Sequence, residues 1–468
     1  MEDTLMNEMT QTNTAEVKLP VLKKIGYGFG ECGSQLSWTL VSSYLTVFYT
    51  DVVGLTPLAI SAIMLIARIW DAVNDPMFGS IAENTRSKWG RFRPYILFGA
   101  PFLALFNCLT FLNLDIPNGA KAFWCGATYI LCGMAYTVVN ISVGCLANSL
   151  TSINSERVSL NAYRGIIGSG VGILMNLITM PLLLHFGKGS TSSGHGYFMV
   201  ALIFSLLCIP CFVICFFSTK EVISGGAKKK ENAVKNLIGS FKMTFADHNA
   251  RFLILGMFCF LTGIFGRLGI MAYYFIYVMQ NPMAIASFGT ALAIGMTLVN
   301  LYAPYLLNHI DKKKCGMITA LCQIACCAAL YFMAEAHMSA AAIAAVGFIY
   351  GFTNFGGLVS YGLGAEIIDD NWIRTGNRAD GVIYSCISFA TKLGNAIGGS
   401  VGIIVLAAVG FVANADLAPE VLTRMNAVIN FGPCIFFALS AVFFMMIKMT
   451  KAKGKENEAI IAQKANEA

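Results

Sequence analysis

The chain has 468 residues, of which 56% are hydrophobic and 12% charged, against about 25% charged in an average soluble domain. That balance excludes a soluble enzyme of ordinary type. The net charge of +7 does not call for nucleic acid, because the basic residues sit in short turns between apolar stretches.

Apolar windows of about 20 residues recur, each long enough to cross a hydrocarbon layer of about 30 Å. Twelve are expected, at roughly 22–50, 56–82, 94–114, 120–150, 156–186, 195–218, 250–280, 283–309, 314–334, 339–369, 378–411 and 420–449. Backbone polar groups find no partner in lipid, so the windows read as helices and the fold as an all-α integral membrane protein. The short alternating segments of a β-barrel are absent. Residues 1–20 are polar and acidic, unlike a cleaved signal peptide, and read as an N-terminal tail.

If both ends share one side, that side collects most of the 32 Lys and Arg, among them Lys23, Lys24, Arg86, Arg91, Arg93, Lys312, Lys313 and Lys314. The other side keeps Lys121, Lys188 and Arg424, while Arg68, Arg164, Arg267 and Lys392 fall within windows. This asymmetry places both tails in the cytoplasm.

The first window, "GYGFGECGSQLSWTL", puts Gln35, Trp38 and Thr39 on one face. A tryptophan beside polar groups can stack on a sugar ring or serve packing. Glu31, one turn earlier, suits an ion pair. The glycines lie in a helix and follow no strand, so they form no phosphate loop.

The second window holds "RIWDAVNDP". Asp71 and Asp75 are four apart and share a helix face. A charge at a helix centre costs about 2.5–3.5 kcal/mol on insertion scales. Two carboxylates about 6 Å apart repel by a further ~3 kcal/mol at an effective dielectric near 20. The pair therefore needs a proton, a bound cation or a basic neighbour. Pro76 lacks an N–H and frees the carbonyl of Ala72, and Asn74 adds an amide. Such oxygens suit a small hard cation. The competing reading is an ion pair in which Arg68 or Lys392 neutralises the acids. Arg68 itself suits a structural or gating role.

In the fourth window Tyr136, Thr137, Asn140 and Gly144 form one stripe. It can bond a polyol, complete an ion shell, or join helices. The fifth window runs Arg164, Gly165, Gly168, Gly172, and the eleventh runs Lys392, Gly394, Gly398, Gly402. The echo suggests duplication, with glycines at spacing four that allow close helix approach. Arg267, in the seventh window, can hold a carboxylate or pair with an acid.

The longest polar stretch, 219–249, divides the windows six and six. The expected domains are a tail 1–20, a six-helix bundle 21–218, a middle loop 219–249, a second bundle 250–450 and a solvated tail 451–468 with a short helix. The 15 cysteines fall mostly inside windows and read as reduced, buried thiols.

Taken together, "YTDVVGL", "ARIWDAVNDPMFGSIAENTRSKWGRFRPYIL" and "YSCISFATKLGNAIGG" resemble the glycoside–pentoside–hexuronide:cation symporters along essentially the whole transmembrane part. The resemblance implies a major facilitator fold of two six-helix bundles. It implies a cation site at Asp71 and Asp75, with Thr137 beside them and Asn74 tuning which ion binds. It further implies that Lys392 faces the site, Arg164 lies near the sugar, Tyr136 lines the cavity, and Ser388 replaces a threonine of the sugar pocket. Gln35 and Asn140 stand where the melibiose-carrying branch has sugar-binding aspartates, and Gly144 stands where it has tryptophan. A glycine of "TNFGGLVSYGLG" replaces a second tryptophan. The cation machinery is thus retained and the galactoside pocket is not. "VNISVGCLANSL" and "NAIGGS" are similar to the family's glucuronide and xyloside carriers. With Arg164, Arg267 and Lys392 a hexuronide is one reading; a neutral pentoside or glucoside is the other.

The expectation is a monomeric secondary transporter of the cytoplasmic membrane, with no resident cofactor and no catalytic residues. It couples Na⁺ or H⁺ to a glycoside bound between the halves by Gln35, Trp38, Tyr136, Asn140, Arg164, Arg267, Ser388 and Lys392. The alternatives are transport of an amphiphilic solute such as a lysolipid, or a sugar sensor without turnover.

Overall fold

The computed structural model describes residues 19–151, 154–222, 245–335, 338–375 and 380–467. The N-terminal tail through residue 18 and most of the middle loop lie outside the described residues. Among the described residues all regular structure is helical, as lipid requires of an open chain.

The helices in order are α1 (Val21–Val47), α2 (Pro57–Asn84), α3 (Arg93–Thr110), α4 (Asn118–Leu150), α5 (Asn154–Phe186) and α6 (Gly194–Ser218). Then come α7 (His248–Tyr273), α8 (Met283–His309), α9 (Lys312–Glu335), α10 (Ala340–Phe352), α11 (Gly356–Thr375), α12 (Asp380–Ala408), α13 (Pro419–Met446) and α14 (Lys451–Glu467). Every expected window holds a helix, the tenth in two pieces. Among the described residues 10 helices are long and apolar enough to cross a membrane. The exceptions among the windows are α1, rich in glycine and serine, and the 18-residue α3.

The chain divides into two compact units, residues 1–48 with 69–228 and residues 49–68 with 229–468. In the first, α1 packs on α5 and α6, and α3 on α4 and α6. In the second, α7 packs on α12 and α13, and α9 on α10 and α13. With the split window counted once, these four pairings of the second unit are those of the first moved on by six windows; the packing of α8 on α10 has no equally extensive counterpart between α2 and α4. The first and seventh windows also both end in a π-helical turn, Phe48–Val52 and Tyr274–Val278. The internal echo is therefore structural.

The division differs from the expected one in residues 49–68, which group with the second unit. Polar contacts account for this. Thr50 Oγ1 lies 2.9 Å from the Tyr273 hydroxyl, Tyr277 donates to Asp51 Oδ2 at 2.7 Å, and Asn414 Nδ2 donates to the Asp51 carbonyl at 2.6 Å. Ser61 Oγ donates to the Ser400 carbonyl at 2.8 Å.

The break between α10 and α11 leaves carbonyls without their helical partners, and neighbouring side chains replace them. Gln323 Nε2 donates to the Tyr350 carbonyl, the Tyr302 hydroxyl to that of Phe352, and Thr319 Oγ1 to that of Thr353. A different device starts α3. The Glu221 carboxylate accepts from the N–H groups of Arg91, Phe92 and Arg93 at 2.9, 2.8 and 3.0 Å, filling the orphan donors of a helix N-terminus. Gly90 makes room for it: φ is +106°, and a Cβ there would stand 2.5 Å from the Glu221 carboxyl carbon.

The repeated glycines fare unequally. A Cβ at Gly398 would meet Gly266 N and Thr262 O of α7 at 2.6 Å, so α12 and α7 touch backbone to backbone. On α5 a Cβ at Gly168 would meet Glu31 Cγ at 2.6 Å, whereas Gly165 and Gly172 face open space.

The C-terminal segment departs from the solvated tail expected of it. Helix α14 docks on α11: Lys453 Nζ pairs with Asp370 Oδ1 at 3.0 Å, and Asn457 Nδ2 donates to the same oxygen at 3.3 Å. Lys451 N donates to Asp311 Oδ1 at 2.6 Å, and Gly454 and Asn457 are buried. Acids at the ends of other helices thus hold a stretch that is polar by itself. All 15 cysteines are thiols outside any disulfide.

Candidate functional site

Two pairs of residues, each four apart, face one another inside the first unit. On α2 they are Asp71 and Asp75; on α4 they are Gly133 and Thr137. Thr137 Oγ1 donates to Asp75 Oδ1 at 2.9 Å. A Cβ at Gly133 would lie 3.2 Å from Asp71 Oδ1, so the missing side chain makes space for that carboxylate. Both acids are partly exposed. Asn74, on the intervening turn, is buried at 8% exposure, and its Nδ2 has no hydrogen-bond partner. The two ends of an amide are assigned from their surroundings. Turned over, the Asn74 amide presents Oδ1 where it now presents an unused N–H. The carboxylate and hydroxyl oxygens of Asp71, Asp75 and Thr137 are of the kind that holds a hard cation; Asn74, adjacent to Asp75 in sequence, stands on a different face of α2 from it. Donors that are all oxygen suit a hard cation better than a soft transition metal.

A second polar network lies on another face of α4. Arg164 Nε of α5 pairs with Glu31 Oε2 of α1 at 2.6 Å, and Arg164 Nη2 donates to Asn140 Oδ1 at 3.3 Å. Gln35 Nε2 donates to Glu31 Oε1 at 3.2 Å. Trp38 stacks on Tyr136 with ring centroids 4.3 Å apart and planes at 27°. Gly144 lies beside the guanidinium, its Cβ position being 3.5 Å from Arg164 Nη1, an ordinary contact distance. Five of the expected sugar residues, Gln35, Trp38, Tyr136, Asn140 and Arg164, therefore join on three helices. Glu31 links Gln35 and Arg164 directly and Asn140 through Arg164, while Trp38 and Tyr136 pair with each other. From the sequence Glu31 was legible only as an ion-pair partner; its link to Gln35 and the role of Gly168 in admitting it depend on packing.

The remaining expected residues belong to the second unit. Lys392 is exposed on α12. Ser388 lies one turn before it, and its side chain is outside the described residues. Arg267 is elsewhere, inside the bundle: it is 1% exposed, with Nη1 donating to Cys327 Sγ and Nη2 to Asn430 Oδ1 at 3.1 Å. Among the described residues its contacts include no carboxylate.

Long apolar helices, a six-window repeat and charged side chains held within the helices define a multi-pass membrane transporter. The sequence matches the family described as MFS/sugar transport protein over residues 26–451. It is 32% identical over 440 residues to the isoprimeverose transporter of Lactiplantibacillus pentosus, covering 93% of this chain and 90% of that protein. It is 29% identical to the glucuronide carrier protein homolog of Escherichia coli (strain K12), covering 92% of this chain and 93% of that protein. Among solved structures, a D-xylose-proton symporter is similar in fold, with a TM-score of 0.61 at 13% identity over 93% of this chain and 98% of that one. The chain belongs to the MFS/sugar transport family, the glycoside–pentoside–hexuronide:cation symporters, and is a transporter with the major facilitator fold, not an enzyme.

Proposed function

We propose that the protein is a symporter of the cytoplasmic membrane, with both ends in the cytoplasm, that couples Na⁺ or H⁺ to the movement of a glycoside. The observation that carries this reading is the pairing of Asp71 and Asp75 with Gly133 and Thr137. Asp71, Asp75 and Thr137 hold the ion, and Asn74 tunes which ion binds. A cation, or a proton, between the acids removes their repulsion. Gln35, Trp38, Tyr136, Asn140, Arg164, Ser388 and Lys392 receive the sugar. The two ligands bind cooperatively, and the site opens to alternate sides of the membrane.

A neutral glycoside is favoured over a hexuronide. Arg164 is already engaged by Glu31 at 2.6 Å, so a sugar carboxylate meets a neutralised cation with an acid beside it. Gln35 and Asn140 offer uncharged amides to hydroxyl groups. The relatives are named for isoprimeverose and for glucuronide, so both classes belong in the test.

Asp75→Asn removes half of the ion site and is expected to abolish accumulation of glycoside in membrane vesicles under a Na⁺ or proton gradient, while downhill flux or exchange persists. Full accumulation by that variant overturns the coupling role of α2. A panel of neutral pentosides, glucosides and uronides, each tested with one gradient at a time, identifies sugar and ion. Uptake confined to uronides contradicts the neutral reading.

A further inference from the structure

The buried guanidinium of Arg267 plays no part in the ion or sugar site proposed above. Arginine keeps its charge inside a protein, and an uncompensated buried charge is strongly unfavourable. At 1% exposure Arg267 has almost no water to share that charge.

Its surroundings are specific. On one side Nη2 meets Asn430 Oδ1 of α13. That amide cannot turn over without loss, because its Nδ2 donates to the carbonyl and side-chain oxygens of Asn426 at 3.0 and 2.8 Å. On another side the guanidinium carbon lies 5.1 Å from the centroid of the Tyr350 ring. Both contacts are with neutral groups. Nε has no hydrogen-bond partner, and neither has the Tyr350 hydroxyl. On the third side Nη1 donates to Cys327 Sγ of α9, a residue with 0% exposure. Among the described residues no carboxylate touches the guanidinium. The ionisable groups around it are Cys327, Tyr350, Tyr274 and Cys434. Thiols give up a proton more readily than phenols, and of the two thiols Cys327 is the one Nη1 meets, while the Cys434 S–H donates to the Asn430 carbonyl at 3.3 Å.

We propose that Cys327 is the counter-ion of Arg267: a thiolate held by a guanidinium inside the second unit, and for that reason more nucleophilic than other thiols buried as deeply. Cys208 provides the contrast. It is equally buried, but its S–H donates to the Ser205 carbonyl at 3.2 Å, as a neutral thiol does. Cys327 accepts where Cys208 donates. Since the thiolate is the nucleophile, a small permeant electrophile should react with Cys327 before thiols of equal burial. With N-ethylmaleimide, the Cys327 sulfur pair forms a C–S bond as the ring C=C π bond breaks. The resulting enolate takes a proton from water, and no oxidant is required.

The test uses the full chain in vesicles, briefly exposed to N-ethylmaleimide between pH 6.5 and 8.5, with labelling of each cysteine read by peptide mass spectrometry. Cys327 is expected to label at least tenfold faster than Cys208 and Cys315 at pH 7, all three having 0% exposure, with a nearly flat pH profile. The other two should rise close to tenfold per pH unit. Arg267→Gln should remove the advantage. Labelling of Cys327 no faster than the controls, or with their pH slope, overturns the proposal.

A second measurement does not depend on entry of the reagent. If the site requires a negative charge, Cys327→Asp should leave a higher melting temperature than Cys327→Ser in the purified protein. The opposite order overturns the thiolate.

Discussion

Asp51 closes the first window with a carboxylate that is only 6% exposed. It stands at the very end of that window, in the turn Phe48–Val52. Thr50 and Tyr277 each donate to it at 2.7 Å, yet burial still pushes its carboxyl above the usual range; the two hydroxyls oppose that shift without cancelling it. Tyr273 and Tyr277 are the titratable side chains nearby. A carboxyl raised in the folded state penalises folding once it ionises. The penalty is absent below the unfolded value, grows as pH rises towards the folded value, and is constant above it. Acidification through the interval between the folded and the unfolded value therefore stabilises the fold through this group. Asp51→Asn keeps an acceptor for Thr50 and removes the charge. Its melting temperature at pH 7 should equal or exceed that of the unaltered protein by about 1–3 °C, with a weaker pH dependence. A melting curve several degrees lower at pH 7 contradicts this. Asp71 and Asp75 were easy to single out in the sequence because charge stands out in an apolar run. The burial of Asp51 was not, since nothing in "YTDVVGL" shows that Tyr277 and Asn414 will cover it.

Helices α7 and α12 meet through glycines, and the contact is sharp enough to test one atom at a time. Gly398→Ala adds a Cβ 2.6 Å from backbone atoms of α7. Overpacking of this kind costs about 1–3 kcal/mol. Gly399→Ala adds the same group into open space and should stay within about 0.5 kcal/mol. Thermal unfolding of the two variants checks this; equal losses would deny the close crossing. The spacing of Gly394, Gly398 and Gly402 made the crossing readable from sequence. The matching spacing on α5 misleads, because only Gly168 meets a neighbour. The break in the tenth window was also hidden, for its freed carbonyls are satisfied by Tyr302, Thr319 and Gln323 from other helices. Docking of α14 depends likewise on distant acids. Removing residues 451–468 should lower the melting temperature by about 2–4 °C, whereas Lys453→Glu alone, at a half-exposed pair, should lower it less. No change on removal would mean the docked helix contributes nothing to the fold.

At the scale of the whole molecule, apolar windows and basic turns sufficed for the fold class, since lipid leaves the backbone few choices. The division into units was harder to read, because residues 49–68 are continuous with α1 in sequence while bonding to Tyr273, Tyr277, Ser400 and Asn414. The central claim is that an ion between Asp71 and Asp75 and a glycoside on the neighbouring face of α4 strengthen each other's binding. Linkage makes that effect reciprocal, typically by about 5- to 150-fold. The most direct measurement is calorimetric titration of purified protein with Na⁺, with and without saturating glycoside, then with glycoside at high and low Na⁺, and the same pair of titrations across pH for protons. The account predicts that one of the two ions binds more tightly with sugar present, and that the sugar gains by the same factor. Affinities for both ions that ignore the sugar would contradict it.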